Sequence, residues 1–172
     1  MILRPFVTVL LFFTLFLSGC APTTKPLVWK ARDVAISDFN AFGILPVLNA
    51  TGKNLEQEIL FFLTAHIREQ FGVNNLKLNG SRQTKSEVLF VQSEILLYEV
   101  KSFMSPAPPL KNMIARCILR TRLFQESSDN VAAEIITINQ VDVGQGLFAP
   151  KDPERVLHES AAAVAREVAK MM

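Results

Sequence analysis

Three long strand-type segments between residues 87 and 141 constrain the fold more than any other feature of the chain. Residues 113–124 alternate strictly, with Met113, Ala115, Cys117, Leu119, Thr121 and Leu123 on one face and Ile114, Arg116, Ile118, Arg120, Arg122 and Phe124 on the other. The turn-forming segment 127–130 separates them from residues 131–141, which predicts a β-hairpin. Residues 87–101 are apolar on both alternating sets, which indicates a central strand covered on both faces over part of its length.

Two amphipathic helices flank these strands. The first is predicted to begin at the cap Asn54 and to end at Gly72, with apolar positions at Leu55, Ile59, Phe62, Leu63, Ile67 and Phe71. The second opens at Asp152-Pro153-Glu154, with a stripe at Val156, Leu157, Ala161, Val164, Ala165 and Val168. Residues 42–48 and 76–78 predict two further strands. Because both stripes need one apolar surface, we predict an α/β (α+β) two-layer sandwich, with an antiparallel or mixed sheet of about five strands and both helices on one face.

Residues 1–19 have the organisation of a secretory signal peptide. Arg4 supplies the positive charge, residues 6–17 are apolar except for two threonines, and Ser18 and Gly19 are small. The apolar run is shorter than the roughly 18 residues that span a membrane, so a cleaved signal is favoured over a membrane-spanning helix.

The four residues Leu17-Ser18-Gly19-Cys20 resemble the lipobox of bacterial lipoproteins. The resemblance implies cleavage between Gly19 and Cys20 and acylation of Cys20, which would anchor the chain on the membrane without crossing it. The alternative is a cysteine that follows an apolar start by chance. Ala21, in place of the aspartate that retains lipoproteins in the inner membrane of enteric-type bacteria, implies a cell-envelope location at the outer membrane, facing the periplasm.

We therefore predict a signal peptide at residues 1–19, a lipidated N-terminus and tether at 20–37, and a single globular domain at 38–172. Trp29, near the end of the tether, would sit either at the membrane interface or at the edge of the domain. Removing Arg4 from the 18 basic residues leaves 17 against 16 acidic ones. This near-neutral balance gives no argument for a nucleic-acid partner.

Few residues point to chemistry. If Cys20 is acylated, Cys117 has no disulfide partner, and its alternation with apolar residues favours a packing role over a reactive thiol. His66 and His158 lie in different predicted helices, and the sequence places no ligand partner beside either of them. No nucleotide-binding, hydrolase or metal-binding motif is present. We predict no catalytic residue, no metal, no cofactor and no enzymatic activity.

Arg116, Arg120 and Arg122 share one strand face and could form a row that binds the phosphates of lipopolysaccharide or phospholipid. The favoured alternative is a solvated sheet face on which Glu94, Glu126 and Glu134 balance these charges. The loop 49–54 is a second candidate contact surface, although its turn residues also suit a simple strand-to-helix connection.

The segment Phe42–Gly52 reads Phe-Gly-Ile-Leu-Pro-Val-Leu-Asn-Ala-Thr-Gly and leads into an amphipathic helix. It resembles the start of several small envelope lipoproteins: the N-terminal domain of the Tol-system translocation protein, curli-secretion lipoproteins and the lipopolysaccharide-assembly lipoprotein. The resemblance implies a non-catalytic assembly or accessory role with an envelope protein partner at the periplasmic face of the outer membrane. The alternative function is a lipid-handling accessory lipoprotein with lipopolysaccharide or phospholipid as its ligand.

Overall fold

The computed structural model describes residues 25–39, 41–78, 88–104, 111–125, 130–145 and 152–172. The strands of the described residues are β1 (Leu27–Lys30), β2 (Ala41–Ile44), β3 (Leu48–Asn49), β4 (Val88–Met104), β5 (Lys111–Phe124) and β6 (Val131–Gln145). The two α-helices are α1 (Gln57–Val73) and α2 (Arg155–Met171), and a short 3-10 turn covers Ile36–Asp38. The order strand, helix, strands, helix is as predicted.

The strands form one mixed sheet in the order β1-β6-β5-β4-β2, with β3 also pairing with β4. Strands β4, β5 and β6 are antiparallel neighbours, whereas β2 and β3 run parallel to β4. Apolar side chains from the sheet and from both helices form one core. The two-layer sandwich is confirmed, and the sheet has six strands among the described residues where about five were predicted.

Pro46 explains part of the difference in strand number, because it divides the single strand predicted over 42–48 into β2 and β3. Proline has no N–H to donate to β4, so the ladder cannot run through it. The neighbouring N–H groups are satisfied separately: Leu45 donates to the carbonyl of Val91 at 3.0 Å, and Val47 donates to Oγ1 of Thr64 on α1 at 3.0 Å. The strand predicted over 76–78 is reduced to one bridge between Leu78 and Phe42.

Strand β1 lies inside the segment predicted as a tether. Leu27–Lys30 pair antiparallel with β6, and Ile36 is fully buried in the core. The predicted tether end at residue 37 is therefore too late, because a hydrogen-bonded edge strand needs no apolar periodicity to form. Trp29 lies in this edge strand and is 56% exposed.

A β-bulge in β4 explains much of the apolar pattern that predicted cover on both faces over part of this strand. The prediction itself holds at the start of β4, where the consecutive residues Val88 and Leu89 are both buried. Ile95 pairs with Leu119 and Leu97 pairs with Ile118, so the register shifts at Leu96. An extra residue reverses the alternation beyond it. Leu89, Val91 and Ile95 therefore face the helices before the bulge, and Tyr98 joins the same core after it. The two apolar sets arise largely from this reversal.

Both helices begin later than predicted. Glu56, not Asn54, precedes the first turn of α1, and it makes no side-chain cap. Glu154, not Asp152, precedes the first turn of α2, although Oδ1 of Asp152 accepts a hydrogen bond from the N–H of Arg155 at 3.2 Å. The predicted α2 stripe is fully buried, whereas Phe62 of the predicted α1 stripe is 39% exposed.

The predicted signal peptide at residues 1–19, the predicted lipidation site Cys20, Glu126 and the predicted turn residues 127–129 lie outside the described residues. Within the part of the chain that the structure describes, no helix has the length and apolar character needed to cross a membrane.

Candidate functional site

An apolar groove runs between α1 and the segment that joins β2 to β3. Its volume is about 490 Å³, and it is lined by Pro46, Val47, Gln57, Leu60, Phe61, Thr64, Ala65 and Arg68; we call it the α1 groove. Phe61 is 72% exposed, and its ring lies 6.3 Å from that of Phe62. A phenylalanine this exposed on a helix of a small domain leaves a large apolar surface in water. The α1 groove is thus an apolar concavity with an exposed aromatic ring at its edge.

Hydrogen bonds of Thr64 connect α1 to the segment that joins β2 to β3 at the α1 groove. The hydroxyl of Thr64 accepts a hydrogen bond from the N–H of Val47 and donates one to the carbonyl of Leu60 at 2.7 Å. Arg68 is the only ionisable residue of the lining, and its Nη2 donates to the carbonyl of Ile44 at 3.3 Å. The groove therefore combines apolar walls with one positive charge at its side.

The loop that follows β3 is closed by its own hydrogen bonds. Oδ1 of Asn49 accepts bonds from the N–H and the hydroxyl of Thr51, at 3.1 and 2.8 Å, and Nδ2 of Asn49 donates to the carbonyl of Lys53 at 2.7 Å. Gly52 has a φ of +71°, a conformation that glycine adopts at little cost. The Asn-x-Thr-Gly part of the motif thus builds a turn. These polar groups shape a strand-to-helix connection, the simpler of the two interpretations offered for residues 49–54.

The three arginines of β5 all lie on the sheet face turned away from the helices, and each has an acceptor on a neighbouring strand. Arg116 donates to Oε1 of Gln140 at 2.7 Å, and Nε of Arg120 donates to Glu94 at 3.0 Å. Nε of Arg122 donates to Glu134 at 3.0 Å. Glu94 and Glu134 therefore balance the row, as the favoured interpretation predicts, and Glu126 lies outside the described residues.

The ion pairs of this face shift two pKa values. Hydrogen bonding to Lys101, aided by the charges of Lys101 and Arg116, lowers the pKa of the Glu99 carboxyl. Hydrogen bonding to Glu94 raises the pKa of Arg120. These shifts favour the charged forms of both groups, so a lipid phosphate would have to displace carboxylates that already hold the guanidinium groups.

Cys117 is fully buried, and burial raises the pKa of its thiol to about 11. Its side-chain interaction with Ser160 opposes this shift. The hydroxyl of Ser160 donates to the carbonyl of Val156 at 2.7 Å and accepts from Nδ2 of Asn139 at 3.0 Å. A thiol with so high a pKa is a poor nucleophile at neutral pH, which agrees with the predicted packing role.

The fold also brings His66 and His158 together, which the sequence did not indicate. Their ring centroids are 5.1 Å apart with an interplanar angle of 86°, and Nδ1 of His66 lies 3.4 Å from Oε2 of Glu69. The pair joins the middle of α1 to the start of α2. Helical periodicity shows only which face a residue occupies, so the meeting of two histidines on different helices depends on how the helices pack.

The exposure of Phe61 was also not predicted. The sequence carries a signal for it, because Phe61 is an aromatic residue beside the apolar stripe of α1, although helical spacing assigns Phe62 to the stripe. In the structure both rings lie at the solvent side of the helix.

No protein-family model matches the sequence, and no curated protein sequence matches it. Solved structures do resemble the fold. A PelC variant, a dodecamer from Paraburkholderia phytofirmans, is 8% identical with a TM-score of 0.51, and the match covers 84% of this chain and 97% of that one. Protein XCC0632 from Xanthomonas campestris, of the DUF330 family, is 11% identical with a TM-score of 0.52 over 84% of this chain and 91% of that one.

A third similar structure is lipoprotein GNA1162 from Neisseria meningitidis, which is 7% identical with a TM-score of 0.47 over 76% of this chain and 98% of that one. At these levels of identity, PelC and XCC0632 show that the two-layer sandwich is a known fold, and they transfer no residue role.

Proposed function

We propose that the chain is a lipid-anchored lipoprotein of the bacterial cell envelope with a non-catalytic accessory role, which binds a protein partner at the periplasmic face of the outer membrane. The observation that carries the partner-binding role is the α1 groove, with Phe61 at 72% exposure beside it. The anchor rests on the lipobox-like residues that end in Cys20.

The chemistry of the α1 groove defines the partner segment that fits it. Leu60, Phe61 and Pro46 offer apolar walls, and about 25 cal/mol is gained for each Å² of apolar surface removed from water. Arg68 offers a cation whose charge the rest of the lining does not balance. A segment that inserts one large apolar side chain and presents a carboxylate to Arg68 would match both features.

The anchor is tested by labelling growing cells with radioactive palmitate and separating inner from outer membranes on a density gradient. The proposal expects label in the wild-type protein, no label in Cys20→Ala, and recovery in the outer-membrane fraction. An unlabelled wild-type protein, or one recovered in the inner membrane, contradicts this part of the proposal.

The partner is tested with a photoactivatable phenylalanine analogue at position 61 in intact cells. The matched control carries the analogue at Lys101, whose side chain is 57% exposed on the sheet face away from the helices. We expect adducts of discrete protein mass from position 61 and none from position 101. Recovery of the protein alone from position 61, or equal adducts from both positions, would contradict binding through the α1 groove.

The lipid-handling alternative stays a separate prediction about Arg116, Arg120 and Arg122. Replacing all three by alanine and measuring binding of lipopolysaccharide to the purified protein tests it. Because each arginine already bonds to a neighbouring strand, the accessory proposal expects the same binding before and after the substitution.

A further inference from the structure

We propose that His66, Glu69 and His158 form a binding site for a divalent transition-metal ion such as Zn²⁺. The chain has two histidines in 172 residues, and the fold brings both into ring contact beside a carboxylate. In the described part of the chain, these three residues are the one group of metal-binding side chains whose ligand atoms all lie within 4.8 Å of one another.

The geometry suits a shared ion. His66 and Glu69 stand three positions apart on α1, which places them on one helix face, and His158 approaches from α2. Tetrahedral zinc with bonds of about 2.1 Å needs ligand atoms about 3.4 Å apart. The observed separation of 3.4 Å between His66 and Glu69 already meets this spacing. The side chains of these two residues are 26% and 60% exposed, so an ion can reach them from solvent.

The donor set selects the class of metal. Two imidazole nitrogens and one carboxylate oxygen suit Zn²⁺, Cu²⁺ or Ni²⁺, whereas Mg²⁺ and Ca²⁺ prefer sets made only of oxygen atoms. Three protein ligands leave one position for water. The side-chain amide of Gln70 lies 3.4 Å from Nε2 of His158, close enough to hold such a water or to orient the ring.

An ion bound here would link α1 to α2, because its ligands come from both helices. An ion that binds the folded chain and not the unfolded one shifts the unfolding equilibrium toward the folded state. The site therefore predicts that Zn²⁺ raises the melting temperature. The inference does not depend on the α1 groove, so failure of one proposal leaves the other standing.

The test uses the full chain, processed in cells, purified in detergent and carrying an affinity tag without histidine. Zn²⁺ is titrated by calorimetry and by competition with a chromophoric chelator. We expect one equivalent to bind and the melting temperature to rise. His66→Ala and His158→Ala should each weaken binding at least tenfold, the lower end of the losses seen when residues that support metal ligands are removed.

Matched variants distinguish metal binding at the proposed site from non-specific binding by surface charges. Glu69→Gln should weaken binding, whereas Glu159→Gln, which removes the carboxylate that pairs with Arg155 beside His158, should leave it unchanged. His66→Gln repeats the loss with a side chain that keeps helix propensity, which guards against a folding defect in His66→Ala.

Co²⁺ serves as a spectroscopic probe, and weak visible bands without an intense near-ultraviolet thiolate band would support the assigned ligands. A thiolate band would place the metal on a cysteine and overturn the proposal. Zn²⁺ that fails to bind the wild-type chain, or binds the two histidine variants as tightly as wild type, would overturn it as well.

Discussion

Helices α1 and α2 have the same length of 17 residues and lie in the same layer, yet they bury very different surfaces. α2 buries eight residues, mostly alanine and valine, whose small side chains allow close packing on the sheet. α1 buries only Leu63, Thr64, Ile67 and Phe71, and leaves Phe61 and Phe62 at the solvent side.

The difference separates apolar residues that hold the fold from those that do not. Every residue of the α2 stripe contributes to the core, whereas α1 carries more apolar surface than its contacts with the sheet can use. Apolar surface left in water confers no folding stability, so the exposed rings of α1 contribute little to the core. Substitutions on the two helices should therefore differ in their effects on stability.

The largest effect is expected for Leu157→Ala in α2. Leu157 is fully buried, and removing a buried leucine side chain costs about 2–5 kcal/mol through lost burial and the cavity left behind. Urea unfolding of the variant and wild type measures the difference. A loss below about 1 kcal/mol would contradict the difference between the two helices, because α2 would then not be the more tightly packed one.

The second prediction concerns Cys117, whose side chain is fully buried. Its pKa rises to about 11 in the folded chain, so the folded state keeps the thiol proton more strongly than the unfolded state does. The resulting stability is present below about pH 9 and falls by about 2–3 kcal/mol as the pH rises to 11. Unfolding of wild type and Cys117→Ala at pH 8 and pH 11 measures this.

The variant lacks the thiol and retains the tyrosine and lysine groups that also titrate in this range. Wild type should thus lose more stability than Cys117→Ala between the two pH values. Parallel pH dependence in both chains would mean that Cys117 opens to water.

A smaller loss is expected for Thr64→Val on α1. The substitution keeps the volume of the side chain and removes the acceptor for the buried N–H of Val47. Leaving that group unsatisfied costs about 1–3 kcal/mol. Denaturant unfolding of Thr64→Val against Thr64→Ser, which retains the hydroxyl, checks the assignment. Equal stability of wild type and Thr64→Val would show that Val47 has another acceptor.

The smallest effect on stability is expected for Phe61→Ser. Because the ring is 72% exposed, the free energy of unfolding should change by less than about 0.5 kcal/mol. The variant should nonetheless lose protein adducts formed by a photo-crosslinker placed at the neighbouring Gln57. Thermal unfolding and crosslinking are measured on the same preparation, and a large fall in melting temperature would make Phe61 a folding residue.

Much of the fold was predictable because alternation and helical periodicity report directly on burial. The strict alternation of residues 113–124 matches the buried positions of β5, and all six residues of the predicted α2 stripe are buried. Ser160 and Ala163, which were not in the stripe, are buried as well. Strand β1 was not predictable in this way, because Leu27–Lys30 are all exposed and owe their conformation to backbone pairing with β6. The bulge at Leu96 similarly depends on the neighbouring strand. In the sequence it appears only as a loss of clear alternation between apolar and polar residues.

The candidate sites were less predictable than the fold. The balance of the arginine row by Glu94 and Glu134 could be foreseen, since opposite charges on neighbouring strands pair across a sheet. The α1 groove and the contact between His66 and His158 depend on the distance in space between elements that are far apart in the sequence. A single sequence carries no measure of that separation.

The start of β1 limits how far the domain can extend from a lipid anchor at Cys20. If Cys20 carries the lipid, Leu27, where pairing with β6 begins, is the seventh residue after the acylated position. A fully extended chain covers about 3.5 Å per residue, so a tether that ends at Leu27 reaches about 25 Å. A tether that ended at residue 37, as predicted from the sequence, would reach about 60 Å. A tether this short would hold the domain close to the membrane surface, and any partner would have to bind it there.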